Sequence, residues 1–337
     1  MGNYFRDCIG VKRTEPFTCI PEIGNNHPDL SYNKLKNEIN KSIITITKNE
    51  GNKGFPSDRN LNSEYELFVN YIDYDEEHSK NLEEGFNELC RYSDIKTYKY
   101  NTVKINTEKK FINASPINIF NKNYYFISTQ GPTDKTIEDF WTMIEQYKCN
   151  IIIMLCKLEE LGRPKCAFYW NDKNKMKKYK IDLLSEEKVE INSSNHIMLR
   201  KIKLTNNESK EEKEVTQLHY EEWPDHGVPD INQTFELFEY MIKKVDELKG
   251  DAPGVVHCSA GVGRTGTFIS IYSLYKEITE QINNDKLSDI KFSIFNFVRK
   301  LKEMRLFMVQ TVEQYKFIYR FVDILLNIYN KKTQFEK

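Results

Sequence analysis

The chain has 337 residues, 39% of them hydrophobic, so it is long enough to bury the core of one large domain or two modest ones. Its 49 basic and 50 acidic residues give a formal net charge of -1, which argues against a nucleic-acid partner and an anionic membrane. The seven cysteines are scattered and include no Cys-x-x-Cys. They argue against a disulfide framework or a zinc site and favour a reducing compartment.

The first 60 residues are rich in Asn, Lys, Gly and Pro, and this composition predicts an N-terminal extension that is partly ordered at best. No hydrophobic stretch like that of a signal peptide is present, and Arg6 stands where a myristoylation motif needs Ser or Thr. The longest apolar run, 151–156, is far shorter than the ~20 residues of a membrane span, so we expect a buried strand there and no spanning helix.

Apolar residues recur at helical spacing in SEYELFVNYI (63–72) and LEEGFNELCRY (82–92). The pattern then predicts strands in YYFISTQ (124–130), CNIIIMLC (149–156), KCAFYW (165–170), HIMLRKIKL (196–204) and VTQLHYEEW (215–223). Between the first two strands we expect a helix with Thr133 as its N-cap. Further helices are predicted at 231–248, 267–280, 290–304 and 311–329. This order predicts one α/β (or α+β) domain over 61–330, followed by a short tail at 331–337.

The most informative stretch is VVHCSAGVGRTGT, residues 255–267. Its GVGRTG matches the Gly-x-Gly-x-x-Gly of dinucleotide-binding folds, but no second strand ending in an acidic residue follows, since Glu277 and Glu280 fall within a helical segment. A nucleotide P-loop is excluded as well. Thr267 stands where lysine is needed, and Phe268 stands where the magnesium ligand is needed.

A third interpretation of this loop uses all of its residues. A strand enters a turn whose N–H groups point inward, and a helix leaves it, which makes a cradle for a phosphate-sized anion. The same positive field favours the thiolate form of Cys258, and Arg264 can clamp phosphate oxygens with its planar fork of donors. A tight turn around an inert thiol would explain the glycines, but neither Cys258 nor Arg264.

A nucleophilic thiolate needs an acid for the leaving group, and EEWPDHGVP (221–229) offers Asp225 on an exposed loop. Taken alone, Asp225 would be a turn aspartate after a proline. The two segments together, Cys-x5-Arg and WPDHGVP, resemble the tyrosine-specific protein phosphatases. The resemblance continues in family order through RYSDI (91–95), FINAS (111–115), TQGP (129–132), DFW (139–141), KCAFYW (165–170) and MVQTVEQYKFIY (308–319), and it covers roughly 61–328.

The resemblance implies the catalytic roles. Cys258 would be the nucleophile that forms a cysteinyl phosphate, and Arg264 would bind the phosphate. Asp225 would first protonate the leaving group and then deprotonate water. Gln310 would orient that water, and Thr265 would ease departure of the thiolate.

It also implies how substrate is held. Tyr92 would stack on the substrate ring and favour phosphotyrosine over the shorter phosphoserine, Asp94 would hold the peptide backbone, and Gln314 would assist the water-orienting glutamine. The loop residues that would contact the phosphate are Ser259, Ala260, Gly261, Val262, Gly263 and Arg264.

Three supporting roles follow from the same resemblance. Glu160 would orient Arg264, Lys165 would bracket Asp225 when its loop closes, and His257 would tune the thiolate, although His257 also fits a satisfied core histidine. The chain departs from the family pattern in three places: Leu89-Cys90 replaces the usual Lys-Asn, Thr102 replaces an arginine, and His226 follows the acid, where phenylalanine also occurs.

We therefore expect an α/β domain with a twisted mixed β-sheet flanked by helices, and a protein tyrosine phosphatase that uses no cofactor and no metal. Its partners would be phosphotyrosine-containing proteins, and its location the cytoplasm. The richness in Asn, Lys and Ile is typical of an AT-rich genome, and for a virus or parasite that location would be the host-cell cytoplasm. Two alternatives rank lower: a phosphotyrosine-binding pseudophosphatase, which would lack Cys, Arg or Asp, and a dual-specificity phosphatase, which Tyr92 disfavours.

Overall fold

A seven-stranded mixed sheet forms the centre of the molecule. The computed structural model describes residues 28–46, 58–108, 110–118, 125–171, 173, 176–224, 227–283 and 290–335. Across the sheet the strands are β2 (Ala114–Ile117), β3 (Phe126–Thr129), β10 (Gly254–His257), β4 (Ile151–Met154), β9 (Glu212–His219), β8 (His196–Asn206) and β7 (Tyr179–Glu190). The central strands β3, β10, β4 and β9 run parallel and the outer pairs antiparallel. The predicted α/β fold with a mixed, twisted sheet is confirmed.

Helices cover this sheet. They are α1 (Tyr32–Lys41), α2 (Asp58–Phe68), α3 (Glu76–Lys80), α4 (Ile137–Gln146), α5 (Ile231–Lys249), α6 (Gly263–Asn283), α7 (Ile294–Met304) and α8 (Val312–Phe335). A π-helical segment, Val69–Asp73, extends α2, and 3₁₀ turns occupy Asn87–Leu89 and Lys99–Asn101. Two small antiparallel pairs complete the fold: β1 (Ile44–Ile46) with β11 (Ile290–Phe292), and β5 (Glu159–Glu160) with β6 (Arg163–Pro164).

The core lies on the central parallel strands. All four residues of β4 are fully buried, because a parallel strand is covered on both faces, and this accounts for the unbroken apolar run in the sequence. α5 packs against β4, α6 against β3 and β10, and α7 against β2. The predicted buried strand at 149–156 is confirmed.

The direction of the parallel strands decides where a site can form. Thr129, Met154, His219 and His257 are the last residues of β3, β4, β9 and β10, and they lie at one edge of the sheet. The chain leaves β10 at this edge and enters the glycine-rich loop. Crevices at the carboxyl ends of parallel strands are the usual ligand sites of such sheets.

The segment before residue 61 contributes to the packed structure. Leu35 and Ile39, on one face of α1, are 1% and 7% exposed, and β1 pairs with β11. The rest of this segment, residues 1–27 and 47–57, lies outside the described residues.

Two local predictions are wrong. KCAFYW is not a strand, because the backbone of Lys165, Cys166 and Ala167 donates to carbonyls of the neighbouring loops instead of to a ladder. α4 begins after Thr136, not after Thr133. Thr136 Oγ1 accepts a hydrogen bond from the Thr133 N–H at 2.9 Å, so these residues form a turn before the helix.

Long-range pairing explains the other differences. LEEGFNELCRY is irregular apart from its 3₁₀ turn, because Leu82 bridges Tyr98 and Gly85 adopts φ +85°. The 12-residue strand β7 is not predicted, since its charged residues, exposed on the hairpin, hide the alternation. Residues 290–292 form β11 instead of the start of a helix, and α6 begins at Gly263, four residues earlier than expected.

Candidate active site

The loop between β10 and α6 has a conformation that requires glycine. Gly261 adopts φ +72°, and a Cβ there would lie 2.1 Å from the carbonyl oxygen of Thr129. Glycine is therefore needed both for the backbone angle and for the close approach of β3. Gly263 and Gly266 face Gln314 and Val309 in the same way, with a Cβ approaching to 3.0 Å and 2.6 Å. The loop is wedged between β3 and the segment before α8.

The carbonyl groups of the loop all point outward into the protein. The Cys258 carbonyl accepts from His257 Nδ1 and the Ser259 carbonyl from Gly131 N–H. The Ala260 carbonyl accepts from Arg305 Nη2, and the Gly261 carbonyl accepts from Ser128 Oγ and Arg305 Nε. The Val262 carbonyl accepts from the N–H groups of Gly266 and Val309.

The loop N–H groups are left for a ligand. Within the described ranges no acceptor faces the N–H groups of residues 259–262, and the first N–H groups of α6 have no intrahelical partner. The loop therefore has carbonyls that point outward, N–H groups that point inward and a helix N-terminus at one end. Together these features make an anion-binding cradle.

Arg264 lies in the first turn of α6 and is 4% exposed. Its Nη1 and Nη2 donate to Glu160 Oε1 and Oε2 at 2.6 and 2.7 Å, and Nη1 also donates to the Leu155 carbonyl at 3.1 Å. Burial works against the charged form, but the hydrogen bonds to Glu160 and the charge interactions with Cys258 and Glu160 together outweigh it and hold the pKa of Arg264 above its usual value. The β5–β6 hairpin therefore fixes the guanidinium at the cradle.

Cys258 follows the last residue of β10, is 5% exposed and lines the cavity. Three other described cysteines are also buried, but burial raises the pKa of Cys149 to about 12 and raises the pKa values of Cys156 and Cys166 further. These three thiols are protonated at neutral pH. Cys258 differs from them in its position, because it lines the cavity at the opening of the amide cradle.

His257 is fully buried behind the nucleophile position. Its Nδ1 donates to the Cys258 carbonyl at 3.0 Å, because a carbonyl only accepts, and its Nε2 accepts from the Tyr169 hydroxyl at 2.9 Å. The Tyr169 hydroxyl in turn accepts from Gln217 Nε2 at 2.6 Å. Burial lowers the pKa of His257 to about 4, so the ring is neutral and fixes the orientation of the Cys258 peptide.

One wall of the cavity is joined to the loop through Ser259. Its hydroxyl donates to the Lys165 carbonyl at 2.9 Å, so the Tyr92 hydroxyl donates to Ser259 Oγ at 2.9 Å. Arg91 holds this wall in place: its Nε and Nη2 donate to the carbonyls of Gly131 and Pro132 at 2.9 and 2.6 Å.

The opposite wall is the start of α8. Thr311 Oγ1 accepts from the Gln314 N–H, and Gln314 Oε1 accepts from the Thr311 and Gln310 N–H groups at 3.3 and 2.9 Å. This is a capping box, so Gln314 both begins the helix and holds Gln310. A Cβ on Gly263 would lie 3.3 Å from Cβ of Gln310, which places that side chain against the loop.

The structure brings most of the predicted site residues around one cavity of about 770 Å³. Those that line it are Tyr92, Asp94, Glu160, Lys165, Cys258, Ser259, Ala260, Gly263, Arg264, Gln310 and Gln314. The side chains or Cα atoms of Gly261, Val262, His257 and Thr265 are buried and do not line it. Thr265 Oγ1 is buried without a hydrogen-bond partner among the described residues. Asp225 and His226 lie outside the described residues.

Sequence reasoning missed Arg305, the residue after α7. It is fully buried, and besides its bonds to Ala260 and Gly261 its Nη2 donates to Asn113 Oδ1 at 2.7 Å. No sequence signal singles it out, because Arg299, Lys300, Lys302 and Glu303 also lie between the apolar stretches FNFV and LFMV.

Two features are absent from the described ranges of the chain. No group of three or more His, Cys, Asp or Glu side chains in these ranges is arranged to hold a metal ion. None of the described helices has both the length and the apolar character needed to cross a membrane.

The fold and the loop together define a domain with a thiol and an arginine at a phosphate-sized anion cradle. A family model described as protein-tyrosine phosphatase matches residues 86–323, and the chain belongs to this family.

Similar proteins and solved structures support membership of the same family. The chain is 34% identical over 298 residues to tyrosine-protein phosphatase 99A of Drosophila melanogaster, covering 84% of this chain and 21% of that protein. It is also 34% identical to tyrosine-protein phosphatase non-receptor type 20 of Mus musculus, covering 71% and 54% respectively. The chain thus spans between a fifth and about half of these relatives. A structure described as "Structural basis of PTPN18 fingerprint on distinct HER2 tyrosine phosphorylation sites" is similar at a TM-score of 0.68 and 28% identity, covering 79% of this chain and 95% of that one.

Proposed function

We propose that the protein hydrolyses phosphotyrosine in proteins through a cysteinyl-phosphate intermediate. The observation that carries the proposal is the cradle itself: inward N–H groups of residues 259–262, the Cys258 thiol at its opening, and Arg264 held by Glu160 at its side. A phosphate ester fits these donors, and its phosphorus would lie within reach of the Cys258 sulfur.

In the first step the Cys258 thiolate attacks phosphorus and the P–O bond to the tyrosine breaks. Asp225 donates its proton to the departing phenolate. In the second step Asp225 takes a proton from a water that Gln310 orients, the water attacks phosphorus, and the P–S bond breaks. The buried hydroxyl of Thr265, which has no partner among the described residues, is available to donate to the departing thiolate.

The walls select the substrate. Tyr92, held by Ser259, would stack on the phosphotyrosine ring, and Asp94 at the exposed rim would accept from the peptide backbone. Lys165 would bracket Asp225 on loop closure. Gln314 would act indirectly, by fixing Gln310. The depth that Tyr92 gives to the cavity would favour phosphotyrosine over the shorter phosphoserine.

The organisation of the chain is also a proposal. Residues 61–330 would carry the catalytic domain, 1–60 would be an extension that includes α1, and 331–337 a tail. We infer a reducing cytoplasmic location, because the proposed chemistry depends on a free thiol at Cys258. The partners would be phosphotyrosine-containing proteins. The similar PTPN18 structure, whose description names HER2 tyrosine phosphorylation sites, supports this inference.

The test compares hydrolysis of a phosphotyrosine peptide and of the matching phosphoserine peptide by the full chain under reducing conditions, with Cys258→Ser as the control. We expect turnover of the phosphotyrosine peptide only, and none by the variant. Tight binding of the phosphotyrosine peptide without hydrolysis would instead identify a pseudophosphatase. Equal turnover of both peptides would identify a dual-specificity enzyme.

A further inference from the structure

Glu303, in the last turn of α7, is a buried carboxylate on which two distant segments converge. The Ser31 N–H and hydroxyl donate to its Oε1 at 2.9 and 2.5 Å, and His78 Nε2 lies 3.1 Å from its Oε2. Ser31 and His78 are fully buried and Glu303 is 2% exposed. Neither Ser31 nor His78 belongs to the site described above.

His78 is wedged between two carboxylates. Its Nδ1 lies 3.0 Å from Asp75 Oδ2, while its Nε2 faces Glu303. A neutral imidazole has one N–H, so one of these contacts would set two lone pairs against each other, whereas an imidazolium donates to both. Burial works against the charged ring, but hydrogen bonds to Glu303 and Asp75 and their charges outweigh it and raise the pKa of His78 above its usual 6.5.

Carboxylates outnumber the other cations around His78. Lys34 Nζ lies 2.9 Å from Asp75 and 3.6 Å from Glu77, and the Tyr98 ring lies beside the imidazole. Asp29 pairs with Arg299, and Arg299 Nη1 lies 3.9 Å from Glu303. Among the described residues, the network around His78 therefore has four carboxylates, of which Asp29 and Glu77 are exposed and Asp75 and Glu303 face the ring, and only two other cations, Lys34 and Arg299.

Glu303 is two residues from the side chain that holds the catalytic loop. The carbonyls of Glu303 and Met304 accept from Tyr100 and from Asn101 at 2.9 and 2.7 Å, so the end of α7 is fixed at successive residues. The next residue, Arg305, donates to the Gly261 carbonyl at 2.9 Å and the Ala260 carbonyl at 3.1 Å. The position of the helix end therefore sets the position of the loop carbonyls, and with them the inward N–H groups.

We propose that protonated His78 and Ser31 are positioning residues, which hold Glu303 and thereby, through Arg305, keep the anion cradle at Cys258 in its binding geometry. Loss of the His78 proton leaves one of its two ring contacts, with Asp75 or with Glu303, without a hydrogen between the facing atoms, so this support of the helix end weakens and the loop relaxes with it. The effect has a fixed direction: anion affinity is highest where His78 is charged and falls as the pH rises through the raised pKa of His78.

The inference rests on the proposed function, because it concerns the same loop, but it is tested without turnover. In the full chain, the rate of Cys258 alkylation by iodoacetamide is measured from pH 6 to 9 with increasing sulfate, which keeps its charge throughout this range. Protection gives the sulfate dissociation constant. For His78→Gln we expect sulfate binding at pH 6 weaker than in the wild type by about 2- to 30-fold, the range typical of coupling between sites, and the difference should vanish at high pH.

Two variants make the readout specific. His78→Gln/Glu303→Gln replaces the charged pair by amides that can still pair, so wild-type affinity at pH 6 should return and should not show the wild-type loss with pH. Glu145→Gln is the control for stability. Glu145 accepts from Tyr179 and Asn206 at 2.5 and 2.6 Å, at the end of the sheet opposite the loop, and its loss should leave the sulfate profile unchanged.

A second measurement uses only the wild-type protein, so it does not depend on whether a variant folds. NMR titration of the His78 ring in the wild type should show a pKa above the usual 6.5. A His78 pKa at or below 6.5 would overturn the proposal. So would superimposable sulfate profiles for the wild type and His78→Gln, because a purely structural network would change the melting temperature alone.

Discussion

Arg264 and Glu160 form a bidentate pair, with both guanidinium Nη atoms donating to the two carboxylate oxygens at 2.6 and 2.7 Å. The pair joins the first turn of α6 to the β5–β6 hairpin, more than 100 residues earlier in the chain. The arginine is thus oriented before any ligand arrives, which is the condition for strong electrostatic stabilisation of a developing charge.

Removing the charge of this carboxylate tests the pair. Glu160→Gln should lower kcat/KM on a phosphotyrosine peptide by about 10- to 150-fold, because a hydrogen bond to a charged group contributes about 1.5–3 kcal/mol. Glu159→Gln, on the neighbouring exposed position of the same strand, is the matched control and should stay near wild type. Similar losses in both variants would show that the hairpin fold, not the ion pair, is what matters.

The close approach of the loop to β3 gives a second prediction. In Gly261→Ala the new methyl group would lie 2.1 Å from the Thr129 carbonyl oxygen, so the loop must move. We expect kcat/KM to fall by about 10²-fold or more, as small misplacements of reacting groups do. Gly85→Ala has a similar backbone angle, φ +85°, but no atom within 4 Å, and should cost only about 1 kcal/mol of stability. Wild-type activity in Gly261→Ala would refute the cradle geometry.

The role of Asp225 gives a third prediction. Its proton is needed only as the leaving group departs, so Asp225→Ala should lower kcat by about 10²–10⁴-fold with a much smaller change in KM. The variant should therefore retain phosphotyrosine proteins, and vanadate should release them. An activated aryl phosphate, whose leaving group needs less protonation, should suffer less than a peptide. Equal losses on the two substrates would show that another group supplies the proton.

Buried histidines make the stability depend on pH. His219 accepts from Arg200 Nη1, donates to the Cys156 carbonyl, and has a pKa lowered by burial to about 3. The unfolded state binds the proton more readily, so this contribution is complete above pH 6.5 and is lost as the pH falls towards 3, at about 1.4 kcal/mol per pH unit.

Urea unfolding of the wild type and of His219→Gln at pH 7, 6 and 5 isolates this contribution. The variant has no titrating ring at this position, so it should lose less stability between pH 7 and 5 than the wild type. Parallel stability curves for the two proteins would show that His219 is not held neutral in the fold.

The sequence alone was sufficient to predict the features that are encoded within one short stretch of residues. The glycine spacing, Cys258 and Arg264 lie within one stretch, and the buried strand β4 follows from four consecutive apolar residues. What could not be predicted depends on distant partners. Arg305 is recognisable as a support of the loop only when the Gly261 carbonyl stands beside it, and His78 only when it meets Glu303, 225 residues further on. β7 is hidden because its pairing with β8, not its own pattern, makes it a strand.

The central claim is that the Cys258 sulfur carries the phosphoryl group. The most direct measurement is rapid acid quenching of the full chain during hydrolysis of a ³²P-labelled phosphotyrosine peptide, followed by mapping of the label. We predict phosphate on the peptide that contains Cys258, in an amount that rises in Gln310→Ala, where hydrolysis of the intermediate is slowed but its formation is not, and no label in Cys258→Ser. Turnover without a labelled cysteine, or with label on another residue, would contradict the account.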